Sequence, residues 1–417
     1  MTAADSGPPR ILTLDIVRGV AVMGILAMNI VGFGLPFQAY MNPAALGAPE
    51  TADMISWALS FVVVDGKMRG LFSFLFGASI LLVIQRADAS GRSGAAIHYR
   101  RMGWLLVFGL LHFYLVWFGD ILVGYALIGM LAYLFRNKEP RALIAWACGL
   151  LLVQFLIFLA MSAGTMVLEQ QAAAPGAPAE TVRQWQDLQR MFGALSGAEL
   201  DKVLNLFRGS YPDIVGHRLS EQGAKPFSGL PMFGWETLAY MLLGMAALKT
   251  GFLTGAWADR DYRRIMLIGF GIGVPAYALL AWAYARSGFS MPMTFAYVMA
   301  ATVPFRPLMI LATASLIILL TRGGGGLTAR IAAAGRAAFT NYLGTSIVLT
   351  TFFYGYGFGY FGTMGRAELW MVVIAMWALM LAWSKPWLER YQYGPFEWLW
   401  RTLARWQVQP LRRALPA

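Results

Sequence analysis

Long apolar runs, separated by short polar punctuation, dominate the pattern along this chain. A hydrocarbon core about 30 Å thick needs roughly 20 apolar residues per crossing helix. That ruler gives ten candidate spans, at about 11–33, 69–85, 102–118, 121–135, 142–167, 231–250, 263–285, 299–321, 337–356 and 367–388. The runs lack the alternation of barrel strands, and only helices satisfy a backbone at this hydrophobicity. An all-α polytopic integral membrane protein is predicted. The run 52–64 is too short to cross comfortably and is read as a surface helix or the first half of a broken second helix, joined through Asp65-Gly66-Lys67. Asp15 and Arg18 lie inside the first run, which a signal-peptide core would not tolerate, so a retained first helix is expected.

The polar segments divide the chain further. Residues 169–230 form the one long break, read as an exterior helical loop between the fifth and sixth helices. It opens on a flexible breaker, Ala172 to Pro178, followed by amphipathic stretches at 182–192 and 199–207. The run Gly323–Gly326 lacks the Lys-Ser/Thr ending of a phosphate loop and is read as a flexible connector. Residues 389–417 make a basic, aromatic cytoplasmic tail that reads as an interfacial anchor. With no internal repeat evident, residues 1–417 are expected to form a single transmembrane domain.

Composition turns this pattern into an exclusion. Hydrophobic residues make up 58% of the chain and charged ones 13%, against about 25% charged in soluble domains. A 417-residue fold cannot hide that much apolar surface in its interior, so the excess faces lipid. A soluble enzyme, a secreted disulfide scaffold and a disordered regulator are excluded. Cys148 is the only cysteine, which rules out an intramolecular disulfide or a cysteine zinc cluster, and no metal is expected. The net charge of +12 is topological rather than a sign of nucleic acid binding. With both termini cytoplasmic, 21 of the 33 Lys and Arg fall on the inner side, Arg10 among them, while the loop 169–230 carries six basic and seven acidic residues.

Charges inside spans are costly and therefore mark candidate sites. Arg18 and Asn29 are eleven positions apart on the first helix, three turns plus about 20°, so they share a face, with Asp15 close by. That stripe is either a structural ion pair or a basic anchor for an anion entering from the cytoplasm. His112 lies in the apolar run 107–118, and Asp120 follows after the Phe118-Gly119 turn. The hairpin is expected to bring imidazole and carboxylate together in the outer third of the bundle. The pair suits proton abstraction, or else His112 is a buried histidine bonded to a carbonyl. Lys67 and Arg69, like Arg306, are read as snorkelling to the outer headgroups. Asn341, Tyr342 and Ser346 form a polar patch that serves helix–helix bonding or substrate contact.

Several motifs are familiar in combination: Leu14-Asp15-Ile16-Val17-Arg18-Gly19, Leu75-Phe76-Gly77, Gly109-Leu110-Leu111-His112 and Gly119-Asp120-Ile121-Leu122. Gly335-Arg336, Thr340-Asn341-Tyr342-Leu343 and Gly394 to Arg401 complete the set. Over about residues 11–408 the chain resembles the YeiB-like family of bacterial inner-membrane proteins, catalogued as a domain of unknown function. The resemblance implies a multi-pass protein of the bacterial inner membrane. The Leu-Asp-x-x-Arg-Gly opening is also similar to that of membrane acyltransferases that use acyl-CoA, and to the lysosomal heparan glucosaminide N-acetyltransferase. In the first group a histidine usually stands fifteen residues after the leucine; here that position is Asn29.

Two functional readings stay open. In the first, the protein transfers an acyl group from cytoplasmic acyl-CoA or acetyl-CoA to an exterior hydroxyl or amine on a small-molecule, glycan or lipid acceptor. Asp15, Arg18 and Arg336 would hold the donor's phosphates, and His112, oriented by Asp120, would act as the base. Asn29 or Arg69 would stabilise the oxyanion, and Asn341 would contact substrate. In the second, the same polar stripe is the path of a transporter or flippase for an anionic or lipidic solute. The bilayer is a partner in both, and a homodimer is compatible with either.

Overall fold

The computed structural model describes residues 11–195 and 197–413. Arg10 and the last four residues of the expected tail lie outside the described residues. Within them the chain is helical, with no strand beyond an isolated bridge between Tyr391 and Arg412. Five helical segments are long and apolar enough to cross a membrane: Leu12–Gly34, Thr51–Ala89, Pro140–Ala173, Asp259–Arg286 and Leu369–Arg390. This makes the chain a membrane protein.

Helix α1 (Leu12–Gly34) runs through the middle, with 72% of its apolar window buried. Helix α2 (Thr51–Val63) leads into α3 (Lys67–Ala89) across the break at Asp65-Gly66, so the broken-helix reading describes this segment. Gly66 has φ +69°, and a side chain there would meet the Arg306 guanidinium at 2.9 Å. Only glycine supplies both that backbone angle and that clearance. Helix α4 (Gly94–Leu111) ends in a π-helical turn, His112–Val116, before α5 (Leu122–Ala132). Helix α6 (Pro140–Ala173) is longer than its expected span.

The expected exterior loop folds into α7 (Ala179–Phe192), α8 (Gly197–Phe207), α9 (Tyr211–Ser220) and the short α10 (Lys225–Ser228). The end of α8 is tied to the segment after residue 353 by one backbone and one side-chain bond: Gly355 N donates to Phe207 O, and Arg208 Nε donates to Phe361 O. Helices α11 (Leu230–Lys249) and α12 (Asp259–Arg286) follow, α12 with only 22% of its apolar window buried. Such a helix leaves most of its apolar side chains for lipid, whereas α1 leaves few.

Two expectations need correction. The run 299–321 is not one helix. The short α13 (Met291–Met293) continues into a π-helical turn, Thr294–Ala300, and the chain breaks before α14 (Arg306–Thr321). Pro304 lies in the break, where its missing N–H cannot continue the ladder, and Pro307 stands in the first turn of α14, where a proline is tolerated. The segment after the glycine run is not loop. It forms α15 (Gly326–Arg336), which lies along α1 so closely that a Cβ on Gly335 would sit 1.8 Å from Asp15 O. Helix α16 (Ala338–Phe353), α17 (Leu369–Arg390) and the amphipathic α18 (Pro395–Arg405) complete the chain. Glu397 of α18 accepts hydrogen bonds from the backbone N–H groups of Phe339 and Thr340, which caps the start of α16 and seats the tail helix. Burial pushes the Glu397 carboxyl above the ordinary carboxylate range.

Candidate functional site

Three polar clusters lie inside the bundle. The first is at the end of α4. His112 Nδ1 lies 2.8 Å from Asp120 Oδ1, and their side chains are only 2% and 1% exposed. The other carboxylate oxygen accepts from Val123 N at 2.9 Å, so Asp120 caps α5 and is held in place. A carboxylate only accepts, so Nδ1 carries the imidazole proton and Nε2 is the basic nitrogen. Nε2 is buried and has no hydrogen-bond partner among the described residues. This is the feature that separates the pair from an ordinary buried histidine, whose nitrogens would be spoken for. The π-helical turn positions the ring, since its extra residue per turn re-aims the side chain.

The His112 ring packs 5.3 Å from the Tyr342 ring and 6.4 Å from that of Trp117. Trp117 in turn stacks on Phe33 at 3.9 Å. Phe33 and Tyr342 line a cavity of about 10 Å³, together with Asn29, Thr345 and Ser346. That is about the room one water needs. Asn29 accepts from the Tyr40 hydroxyl, through its backbone oxygen at 3.3 Å and its side-chain oxygen at 3.5 Å. Asn29 and His112 thus both neighbour Tyr342, one across the cavity and one through ring contact.

The second cluster surrounds Glu236 of α11. Arg69 donates to one carboxylate oxygen at 2.8 Å, and Arg306 and the Tyr240 hydroxyl donate to the other at 2.6 and 2.7 Å. Arg306 also donates to Thr302 Oγ1 and Val298 O, the groups freed by the break before α14. Lys67 donates to Phe61 O at 2.5 Å and lies 3.1 Å from the Tyr277 ring centroid. The snorkelling read from the sequence therefore does not occur: these side chains turn inward because Glu236 and carbonyl groups wait there. Glu236 itself was missed, although one carboxylate inside the apolar run Phe233 to Leu243 was the signal for it. Tyr125 joins the two clusters. It follows Asp120 on α5, and its hydroxyl donates to Arg69 O at 3.1 Å and contacts Ser73 Oγ at 2.6 Å.

The third cluster is at the opposite end of α1, about 16 Å from Asn29 at 1.5 Å per residue. Arg18 bonds Asp15 at 3.1 Å and Ser79 Oγ at 2.8 Å. Arg336 follows the Gly335 contact with α1 and donates to Gln392 O. Asn341 lies away from these groups. It donates to Ala334 O and Ser384 Oγ and accepts from Trp383 Nε1, which ties α16 to α15 and α17. His98 is buried against Tyr133 with Nε2 3.0 Å from Gly129 O. No group of three or more metal-ligating side chains occurs among the described residues.

Residues 247–407 match a family model described as Protein of unknown function (DUF418). Over 98% of both chains, this one is 32% identical to Uncharacterized protein YeiB of Escherichia coli (strain K12). The chain belongs to the YeiB-like family. A second relative, Uncharacterized protein YxaH of Bacillus subtilis (strain 168), is 30% identical across 97% of this chain and 96% of its own. An Uncharacterized 39.9 kDa protein in amylase 3'region from Bacillus acidopullulyticus is 24% identical over 94% and 93%. All three matches span nearly the whole YeiB-like chain.

Proposed function

We infer that this YeiB-like protein is a membrane acyltransferase of the bacterial inner membrane. It has about ten crossing helices and both termini in the cytoplasm. The donor is an acyl-CoA, such as acetyl-CoA, and the acceptor is an exterior hydroxyl or amine. The observation that carries this reading is the buried His112–Asp120 pair with a basic, unpartnered Nε2. Asp120 fixes the tautomer and offsets the positive charge the ring gains when Nε2 takes a proton from the acceptor. The acceptor oxygen or nitrogen then bonds to the thioester carbon, the C–S bond breaks, and the proton leaves with the thiolate. Asn29 or Arg69 would stabilise the intermediate oxyanion. At the cytoplasmic end Arg18, held by Asp15, and Arg336 would receive the donor's phosphates. The 10 Å³ cavity is too small for a thioester, so α1 and α16 must part for turnover.

The test is incubation of detergent-purified protein with acetyl-CoA labelled in the acetyl group, alone and with exterior-side extracts as acceptor. Thioester consumption that is lost in His112→Ala supports the reading. Equal consumption in the variant sinks it. A second reading, transport of an anionic or lipidic solute, rests on a separate observation: two broken helices meet at Gly66 and Arg306 beside buried charge, as discontinuous helices do at transporter sites. Solute counterflow in liposomes without CoA-thioester chemistry would favour it.

A further inference from the structure

The four helices α7–α10 do more than cover the bundle. Arg218 of α9 is 2% exposed, yet its Nε and one terminal nitrogen have no hydrogen-bond acceptor among the described residues. Its remaining terminal nitrogen reaches only Tyr114 O, at 3.4 Å. The nearby acidic residues of the cap are committed elsewhere: Asp213 to Ser210, and Glu221 to His217 at 3.4 Å. A guanidinium does not shed its proton, and a buried charge without a counter-ion is strongly unfavourable. Two further atoms point to the same conclusion. The Tyr354 ring lies 5.9 Å from the Arg218 guanidinium and its hydroxyl is in electrostatic contact with it, but that hydroxyl makes no hydrogen bond of normal geometry to a described residue, and neither does Gln222 Oε1 on the adjoining turn. Next to Tyr354, at 6.0 Å between ring centroids, stands Tyr356, which meets the Tyr211 ring at 5.3 Å, and both of these rings are exposed.

We propose that Arg218 and Tyr354 form a binding site for a carboxylate or phosphate group. The two open guanidinium N–H positions suit the bidentate recognition that planar oxyanions receive from arginine. The Tyr354 O–H supplies a third donor. The site is one layer outside His112: Tyr114, whose carbonyl Arg218 touches, belongs to the π-helical turn that begins at His112. The Tyr211 hydroxyl donates to Leu115 O and that of Tyr114 to Gly223 O, so the cap clasps this turn directly. Resting on the acyl-transfer reading, the inference names the acceptor's class: a molecule that carries an anionic group beside the hydroxyl or amine to be acylated. The anion is either on a soluble acceptor or on a lipid headgroup.

The site is tested by binding without any acyl donor, so failure here is separable from failure of acyl transfer. Full-length protein in lipid-free neutral detergent is titrated with inorganic phosphate and with D-glucuronate, following its thermal midpoint by tryptophan fluorescence. In parallel it is placed in phosphatidylcholine nanodiscs with and without phosphatidylglycerol. Saturable stabilisation by the soluble anions, weakened about tenfold or more in Arg218→Gln, supports the site and a soluble source. Stabilisation only by phosphatidylglycerol, lost in the same variant, supports it with a lipid source. Should Arg218→Gln not fold, Arg218→Lys decides, since it keeps the charge but not the fork, with Tyr354→Phe expected to weaken binding by a smaller factor. No saturable response in either setting, or one unchanged in Arg218→Lys and Tyr354→Phe, overturns the proposal.

Discussion

The clusters around Glu236 and His112 look alike in composition and differ in what they leave undone. Each is a buried carboxylate with a basic partner, and Tyr125 connects them. At Glu236 both oxygens are taken, by two arginines and a tyrosine, and the backbone N–H accepts no part of the burden because it donates to Gln154. At His112 the carboxylate is equally occupied, but the imidazole keeps a basic nitrogen without a partner. Saturation marks a group that holds helices together. An unspent lone pair in a buried site marks one available for chemistry. The difference is visible only at the level of individual atoms, since burial and charge alone would rank Glu236 first.

The comparison breaks most readily at Glu236. Glu236→Ala leaves Arg69 and Arg306 without their counter-ion, and removing one partner of a buried pair costs about 3–5 kcal/mol. A large fall in the thermal midpoint is expected, measured by tryptophan fluorescence in detergent; an unchanged midpoint would show that the cluster is not structural. His112→Gln should behave in the opposite way. Glutamine can still donate to Asp120, so stability changes by no more than about 1.5 kcal/mol, while a general base contributes about 10²–10⁴ in rate. Pairing the two variants sharpens the contrast, with one losing fold and the other losing turnover.

A smaller effect is expected where α15 meets α1. The Cβ of Gly335→Ala would press on a backbone oxygen at 1.8 Å, which cannot swing aside. Overpacking of this kind costs about 1–3 kcal/mol, read as a lowered midpoint, and a midpoint at the wild-type value would refute the close crossing. The smallest effect concerns the tail helix. Because burial raises the Glu397 carboxyl above its ordinary value of 4.5, its contribution is present in full below that value and declines as pH rises through the raised one. The wild-type midpoint should therefore fall slightly over that range, and Glu397→Gln should flatten the slope. An identical slope in both would assign the pH dependence to other groups.

Much of this was legible in the runs of apolar residues, for a definite reason. Hydropathy reports where a helix can sit in lipid, and it located α1, α6, α12 and α17 within a few residues at most ends. The glycine and charges at Asp65-Gly66-Lys67 likewise marked a real break. The turn at Phe118-Gly119 was enough to foresee that His112 and Asp120 meet, because a hairpin joins near neighbours. What hydropathy does not carry is the identity of a partner. Arg69 and Arg306 read as snorkelling because a long cation near a helix end has that option; only the position of Glu236 on a different helix turns them inward. The segment 326–336 read as loop because its small residues give little apolar signal, and close packing on α1 is what makes them buried. Arg218 was invisible for the same reason: in an exterior loop an arginine is unremarkable until the loop folds over it.

The central claim is that His112, through its unpartnered Nε2, is the base of an acyl transfer, and it is tested most directly by one assay. The rate of thioester consumption from labelled acetyl-CoA is measured per folded molecule for wild type and His112→Gln. The account predicts that the variant folds like the wild type and consumes thioester about a hundredfold or more slowly. A variant that folds equally well and keeps the wild-type rate would contradict it.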